Sequence, residues 1–295
     1  MIDNKFKVDF IGVGLEKSGS SWVAAALAEH PEICFSNQKE VHFFNKNYEK
    51  GLDFYASYFK DCETKKIKGE FTPRYFYIPE VPGRIKKEFA QAKLIFCFRN
   101  PIDRIYSHFY HNIAHARISN KTPFEQAIRQ DPRFIDYGRL SDNLKRFLKY
   151  FKQEQMLFIF YDDIVTKPQE VARKVYQFVG VDLDYKPKVI HQKVNVGAAK
   201  RYKYPVFKIF LRKLMHFSMW LKKYNFGRKI LNWLASLGLK KLFQKLFRLN
   251  ILKNPPALKK QPMKAETRKE LIKLYKEDVK EFEKLVRKDL SQWYE

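Results

Sequence analysis

Two segments constrain the fold of this chain more than any others: DFIGVGLEKSGSSW at residues 9–22 and LIFCFRNPIDRIYSHFYH at 94–111. Each is a short apolar run, then a polar turn, then the start of a helix. Uninterrupted apolar runs such as 8–13 and 93–98 suit strands buried on both faces, as in a parallel sheet. Both turns then open at the carboxyl edge of that sheet, where open α/β folds bind ligands. Further strands are expected at 33–35, 68–71 and 156–161, and helices at 122–130, 140–152, 168–179 and 264–288. Strand–helix alternation predicts an α/β, P-loop-like, three-layer fold with a central parallel sheet flanked by helices. The expected organisation is a single domain over 1–295 with a basic helical insert at 201–254. A C-terminal helix in 264–295 packs back on it, with Leu271, Leu274, Phe282 and Leu285 as its apolar face and Trp293 as an anchor.

The first turn carries Lys17, Ser18, Gly19, Ser20 and Ser21 ahead of a helix that starts near Trp22. Backbone N–H groups at a helix start bind anions, and the helix dipole adds to this. Lys17 supplies a full charge that can follow a developing negative oxygen. The order Lys-Ser-Gly-Ser-Ser places the lysine before the last glycine, so the nucleotide triphosphate motif G-x-x-x-x-G-K-[ST] is not met. The second turn offers Arg99 and, a helical stretch later, Ser107. Two anion sites on one edge suit a ligand with phosphate at two ends.

With these residues in place the chain resembles the sulfotransferases that use 3′-phosphoadenosine-5′-phosphosulfate. Lys17 to Ser21 resembles their 5′-phosphosulfate loop. Phe98-Arg99-Asn100-Pro101 with Tyr106-Ser107-His108 resembles their 3′-phosphate site. Lys39-Glu40-Val41-His42-Phe43-Phe44 and Gly69-Glu70-Phe71-Thr72-Pro73-Arg74-Tyr75 are similar to segments of the carbohydrate, heparan-type branch. Tyr161-Asp162-Asp163-Ile164, Pro168 and 178–181 resemble a further family segment. The resemblance implies donor contacts from Lys17, Ser18, Gly19, Ser20, Ser21, Trp22, Arg99 and Ser107. It extends loosely to Lys200 and Arg201, in a basic loop that closes over the 3′-phosphate. It also implies 3′-phosphoadenosine-5′-phosphate as product. No CxxC or HExxH motif is present, and a lysine with backbone donors suffices for sulfuryl transfer, so no metal is expected.

A hydroxyl acceptor must lose a proton as it attacks. Glu40 and His42 stand two apart, on one side of an extended segment. By resemblance Glu40 is the general base, with His42 a second base or its orienter; the alternative for Glu40 is a surface ion pair with Lys39 or Lys46. Asn45 stands where the family segment often has Asp. Glu70, Arg74 and Tyr75, at a strand end, are candidate acceptor contacts. The KExHFF-like segment favours a saccharide acceptor. A sterol, another lipid alcohol, a small phenol or an amine is the alternative, and a membrane-bound scaffold is the non-enzymatic reading.

The formal net charge is +26, and it is unevenly placed: between Asp184 and Glu266 there is no acidic residue. Within that stretch, 201–254 alternates Lys and Arg with Phe, Leu, Ile and Trp at helical spacing. Such a segment suits an anionic membrane surface, a lid over the cleft, or packing on the core. A lipid-linked saccharide satisfies both this insert and the KExHFF-like segment. Specific nucleic-acid binding is disfavoured because the charge accompanies an apolar helical face rather than a nucleic-acid module. Three cysteines, Cys34, Cys62 and Cys97, give no disulfide framework, which predicts a reducing setting. With no secretory leader and no run of about 20 apolar residues, the expectation is a cytoplasmic protein, peripheral at the inner membrane face if the insert binds lipid.

Overall fold

A computed structural model describes residues 6–60, 62, 65–115, 117–191 and 260–295. The chain divides into two compact units. One comprises Met1–His108, Asp131–Val194 and Met263–Glu295; the other comprises Phe109–Gln130 and Asn195–Pro262. The basic insert at 201–254, with Lys200 and Arg201, lies outside the described residues.

The first unit is built on five strands: β1 (Phe10–Gly14), β2 (Ile33–Phe35), β3 (Ile67–Phe71), β4 (Lys93–Phe98) and β5 (Met156–Phe160). They pair in the order β2-β3-β1-β4-β5, every neighbour parallel. The expected three-layer α/β fold is therefore present. Strand β1 feeds α1 (Ser20–Glu29) toward β2 on one side, and β4 feeds α4 (Pro101–Ala114) toward β5 on the other. The winding direction thus reverses between β1 and β4, and a crevice is expected at the carboxyl ends of strands where that happens. Leu15 N–H donates to Cys97 O at 2.8 Å and ties those two strand ends together.

Side-chain alternation along β4 separates the layers. Ile95 and Cys97 join Val23, Leu27, Val175 and Tyr176 from α1 and α9 (Pro168–Val179) in one buried cluster. Phe96 and Phe98 face the other way. Phe96 meets Phe147 of α7 (Ser141–Leu148) edge-on at 5.2 Å, and Phe98 meets Phe282 of α10 (Ala265–Val286) at 4.6 Å. Each fully buried aromatic of this kind contributes about 1.5–3 kcal/mol by leaving water.

Helix α9 ends where expected, at Gly180 with φ 88°. The C-terminal helix packs back as expected, but its buried stripe is Leu271, Tyr275, Val279, Phe282 and Val286; Leu274 is 43% exposed. Trp293 is buried near Phe282, and its carbonyl accepts from Asn100 Nδ2 at 3.4 Å. The expectation of no disulfide is corrected. Cys34 of β2 and Cys62 are bonded, their Cα atoms 5.4 Å apart, because the pairing of β2 with β3 brings the segment before β3 close despite a sequence separation of 28. The inference of a reducing compartment rested on that cysteine count and loses its support. Cys97 is a buried free thiol, as expected. Among the described residues no helix is long and apolar enough to cross a membrane.

Candidate active site

The turn after β1 is shaped by backbone conformation. Lys17 has φ 68° and Gly19 has φ 88°, both left-handed. Gly19 is required there, because a Cβ would run into Ile164 Cδ1. Gly19 O accepts from Trp22 N at 2.8 Å and starts α1. The first N–H groups of a helix have no partner within it, so this turn presents donors at the crevice. Ser18 is wholly buried, and its Oγ has no hydrogen-bond partner among the described residues. A buried orphan hydroxyl under a left-handed, glycine-bearing turn fits an anionic ligand. Lys17 is half-buried.

The turn after β4 is arranged differently. Asn100 Oδ1 accepts from Ile102 N at 2.9 Å and so caps α4 itself. With the helix start capped, side chains are what this turn offers a ligand. The Arg99 guanidinium lies 4.2 Å from the centroid of Tyr161, the first residue of α8 (Tyr161–Thr166). Tyr161 Cδ2 is 3.5 Å from where a Cβ on Gly19 would stand. One aromatic ring thus joins the two turns. Ser107, half-buried on α4, follows Arg99 by about two helical turns. The side chain of Trp22, expected among the donor contacts, packs into the core. It is 6% exposed, and its Nε1 donates to Val189 O at 3.1 Å. Its position as an apolar residue on the sheet-facing side of α1 decides this.

The segment after β2 carries the expected base. Glu40 and His42 also adopt left-handed backbone, φ 64° and 56°, rather than the extended form expected for them. Glu40 N–H donates to Phe71 O at 3.2 Å. One Glu40 oxygen lies 3.7 Å from His42 Nε2 and the other 3.8 Å from Lys39 Nζ. Burial, and then the charge of Lys46, hold the His42 imidazole below its ordinary value. At neutral pH the ring is therefore uncharged beside the carboxylate.

Beneath this segment Glu70 and Tyr75, expected as acceptor contacts, are fully buried. Glu70 accepts from Thr72 Oγ1 at 2.7 Å, from Tyr75 OH at 2.8 Å and from Tyr55 OH at 3.4 Å. Two of those hydroxyls pass the contact on: Thr72 Oγ1 accepts from His42 N at 3.4 Å and Tyr75 OH from Phe44 N at 3.3 Å. The carboxyl thereby holds the loop that carries Glu40. Burial raises its pKa to about 7, against the lowering effect of the three hydroxyls. Arg74, by contrast, is half-buried and pairs with Glu16 Oε1 at 3.3 Å. Burial opposes its charge, but the Glu16 carboxylate outweighs this and raises its pKa.

Three features escaped the sequence reading. Lys39 Nζ donates to Ser21 Oγ at 2.6 Å, across from the acceptor loop to the donor loop. Tyr77 and Tyr137 stack at 4.2 Å and line a recess of about 260 Å³ with Arg139 and Arg146. Arg104 of α4 is fully buried, its guanidinium without a hydrogen-bond partner among the described residues. Lys39 and Ser21 each stand in a motif, but the motifs do not say that they meet; all three features arise only from the tertiary approach of separate segments. No cluster of metal-ligating side chains occurs among the described residues.

A family model described as "Sulfotransferase domain" matches residues 7–204. The chain is 32% identical over 136 residues to the membrane-associated sulfotransferase kil1 of Dictyostelium discoideum, covering 43% of this chain and 29% of that protein. It is 28% identical over 181 residues to the mouse (Mus musculus) heparan sulfate glucosamine 3-O-sulfotransferase 5, covering 57% of this chain and 52% of that one. The matches thus span roughly a third to a half of these relatives' own length. The fold is similar to that of a sulfotransferase from Alicyclobacillus acidocaldarius, with a TM-score of 0.69 at 20% identity, over 98% of this chain and 100% of that one.

Proposed function

The chain belongs to the sulfotransferase family, and from that premise we propose that it transfers a sulfuryl group from 3′-phosphoadenosine-5′-phosphosulfate to a hydroxyl of a saccharide or glycolipid. The observation that carries this reading is the convergence of the Lys17 turn and Arg99 on Tyr161 at one sheet edge. When bound, the donor supplies an electrophilic sulfur: a new S–O bond forms as the S–O bond to the 5′-phosphate breaks and its electron pair leaves on the phosphate oxygen.

The chain's own groups divide the remaining work. The N–H groups and hydroxyls of Ser18 to Ser21 hold the 5′-phosphosulfate. Lys17 stabilises the charge that grows on the bridging oxygen. Arg99 and Ser107 hold the 3′-phosphate and select against nucleotides without it. Glu40 takes the acceptor proton, with neutral His42 beside it as orienter or second base. Lys200 and Arg201 are proposed donor contacts on the family resemblance alone. No metal ligand enters this scheme.

Arg74 and the stacked Tyr77–Tyr137 pair support a saccharide acceptor, since guanidinium and aromatic faces suit a polar ring. The heparan sulfate relative supports the same class. The basic amphipathic insert, and the description of kil1 as membrane-associated, support a lipid-linked form met at a membrane surface. A sterol, other lipid alcohol or phenol is the alternative acceptor.

Calorimetric titration with 3′-phosphoadenosine-5′-phosphate, against adenosine 5′-phosphate and ATP without magnesium, tests the donor site. The bisphosphate is expected to bind selectively. Arg99→Ala is expected to weaken it by about 10–100-fold, the loss of charge-assisted hydrogen bonds. Lys17→Ala is expected to keep most of that affinity while turnover falls by about 10²–10³-fold. Absence of nucleotide selectivity would remove the assignment, and equal affinity loss in both variants would remove the division of labour.

A further inference from the structure

We infer that Lys39 is a second cation on the sulfuryl group, meeting its oxygens from the acceptor side while Lys17 serves the bridging oxygen. The inference rests on the donor reading above and adds a residue to it. Lys39 belongs to the acceptor-side loop, one position before Glu40, yet its ammonium reaches the Ser21 hydroxyl of the donor loop at 2.6 Å. The same nitrogen lies 3.8 Å from Glu40 Oε1. It therefore stands between the group that holds the donor and the group that deprotonates the acceptor, which is where the sulfuryl group must pass.

A lysine that merely decorated the surface would keep its ammonium in water. Two thirds of this side chain is covered, with 34% exposed. Burial depresses its pKa below the ordinary lysine value, although Glu40, Cys97 and Glu16 pull the other way. Ser21 lies in the first turn of α1, just after β1, so the contact itself brings the ammonium to the carboxyl end of β1, at the crevice. An ammonium has three donors. With one on Ser21 and Glu40 at ion-pair distance, donor capacity remains for a sulfuryl oxygen. The chemistry calls for such a group. In this class of transfer, charge spreads over the equatorial oxygens while the attacking and leaving oxygens lie in line, so one lysine on the leaving side does not serve every oxygen that carries charge.

The experiment compares two nucleotides in the absence of acceptor. 3′-Phosphoadenosine-5′-phosphosulfate and 3′-phosphoadenosine-5′-phosphate differ only by the sulfuryl group, so the ratio of their affinities reads contacts to that group alone. Calorimetry on wild type, Lys39→Met and Lys39→Arg supplies the ratio. Lys39→Met is expected to lower the affinity for the phosphosulfate about tenfold, the scale of one charge-assisted hydrogen bond. Its affinity for the bisphosphate should change less than twofold, which also reports an intact fold. Lys39→Arg should restore most of the ratio. Loss of both affinities alike, or an unchanged ratio, would overturn the inference and leave Lys39 as a tether between loops. Failure of the wild type to bind either nucleotide would instead overturn the donor reading, and this one with it.

Discussion

Three non-glycine residues of the proposed chemistry, Lys17, Glu40 and His42, share the left-handed backbone region. That conformation costs an L-residue about 1–2 kcal/mol, and such strain persists only where surrounding contacts over-determine it. Here the contacts are visible: Gly19 pressed against Ile164 on one loop, and the Thr72 and Tyr75 hydroxyls under the other. The residue types were legible in the sequence because Lys, Glu and His in these motifs imply charge and proton transfer. Their backbone conformation was not, since nothing local favours a positive φ at a glutamate. Gly19→Ala combines a positive φ with a steric conflict at Ile164. Thermal unfolding should show a loss of about 1–2 kcal/mol from the backbone alone, and calorimetry should show weaker binding of the adenosine bisphosphate. Unchanged stability and binding would mean that the turn does not depend on this glycine.

At the level of elements, strands were read within one or two residues, β1, β4 and β5 because short apolar runs bounded by turns suit strands buried in a parallel sheet. Helix faces were read less well. Leu274 was expected inward on spacing alone, but Tyr275 occupies the buried position, its hydroxyl donating to Ile135 O at 2.7 Å. A helix with apolar residues at adjacent positions has two plausible faces, and the partner surface chooses between them. The same choice turns Asp278 toward the start of α7. Its carboxylate accepts from Leu140 N at 2.7 Å, Ser141 N at 3.2 Å and Ser141 Oγ at 2.6 Å. A residue 137 positions away from Ser141 thus does the work of a helix cap. Asp278→Ala should destabilise the protein by about 1–2 kcal/mol in chemical denaturation, as loss of a cap does. A change below a few tenths would show that water replaces the carboxylate.

Over the whole molecule, Glu70 links the helix Gly51–Ala56, which carries Tyr55, to β3 and to the loop bearing Glu40. Its pKa stands near 7 in the folded protein against an ordinary 4.5. The fold therefore favours the protonated acid, and ionisation weakens it as pH rises from about 4.5 to 7. Two and a half units correspond to about 3 kcal/mol, fully present below that window and absent above it. Denaturation between pH 4.5 and 8 should show wild type losing stability across this window while Glu70→Gln loses less. A pH-independent difference between the two would assign the titration to another group.

The sequence by itself determined the parallel α/β architecture, the two polar turns at its carboxyl edge and the sulfotransferase family, because buried strands and the turns that follow them are local patterns of few residues. Tertiary structure alone decided that Trp22, Glu70 and Tyr75 face inward, that Cys34 meets Cys62, and that Lys39 reaches Ser21. Those outcomes depend on which distant segment lies opposite each side chain. A motif states what a residue is capable of; only packing states what it touches.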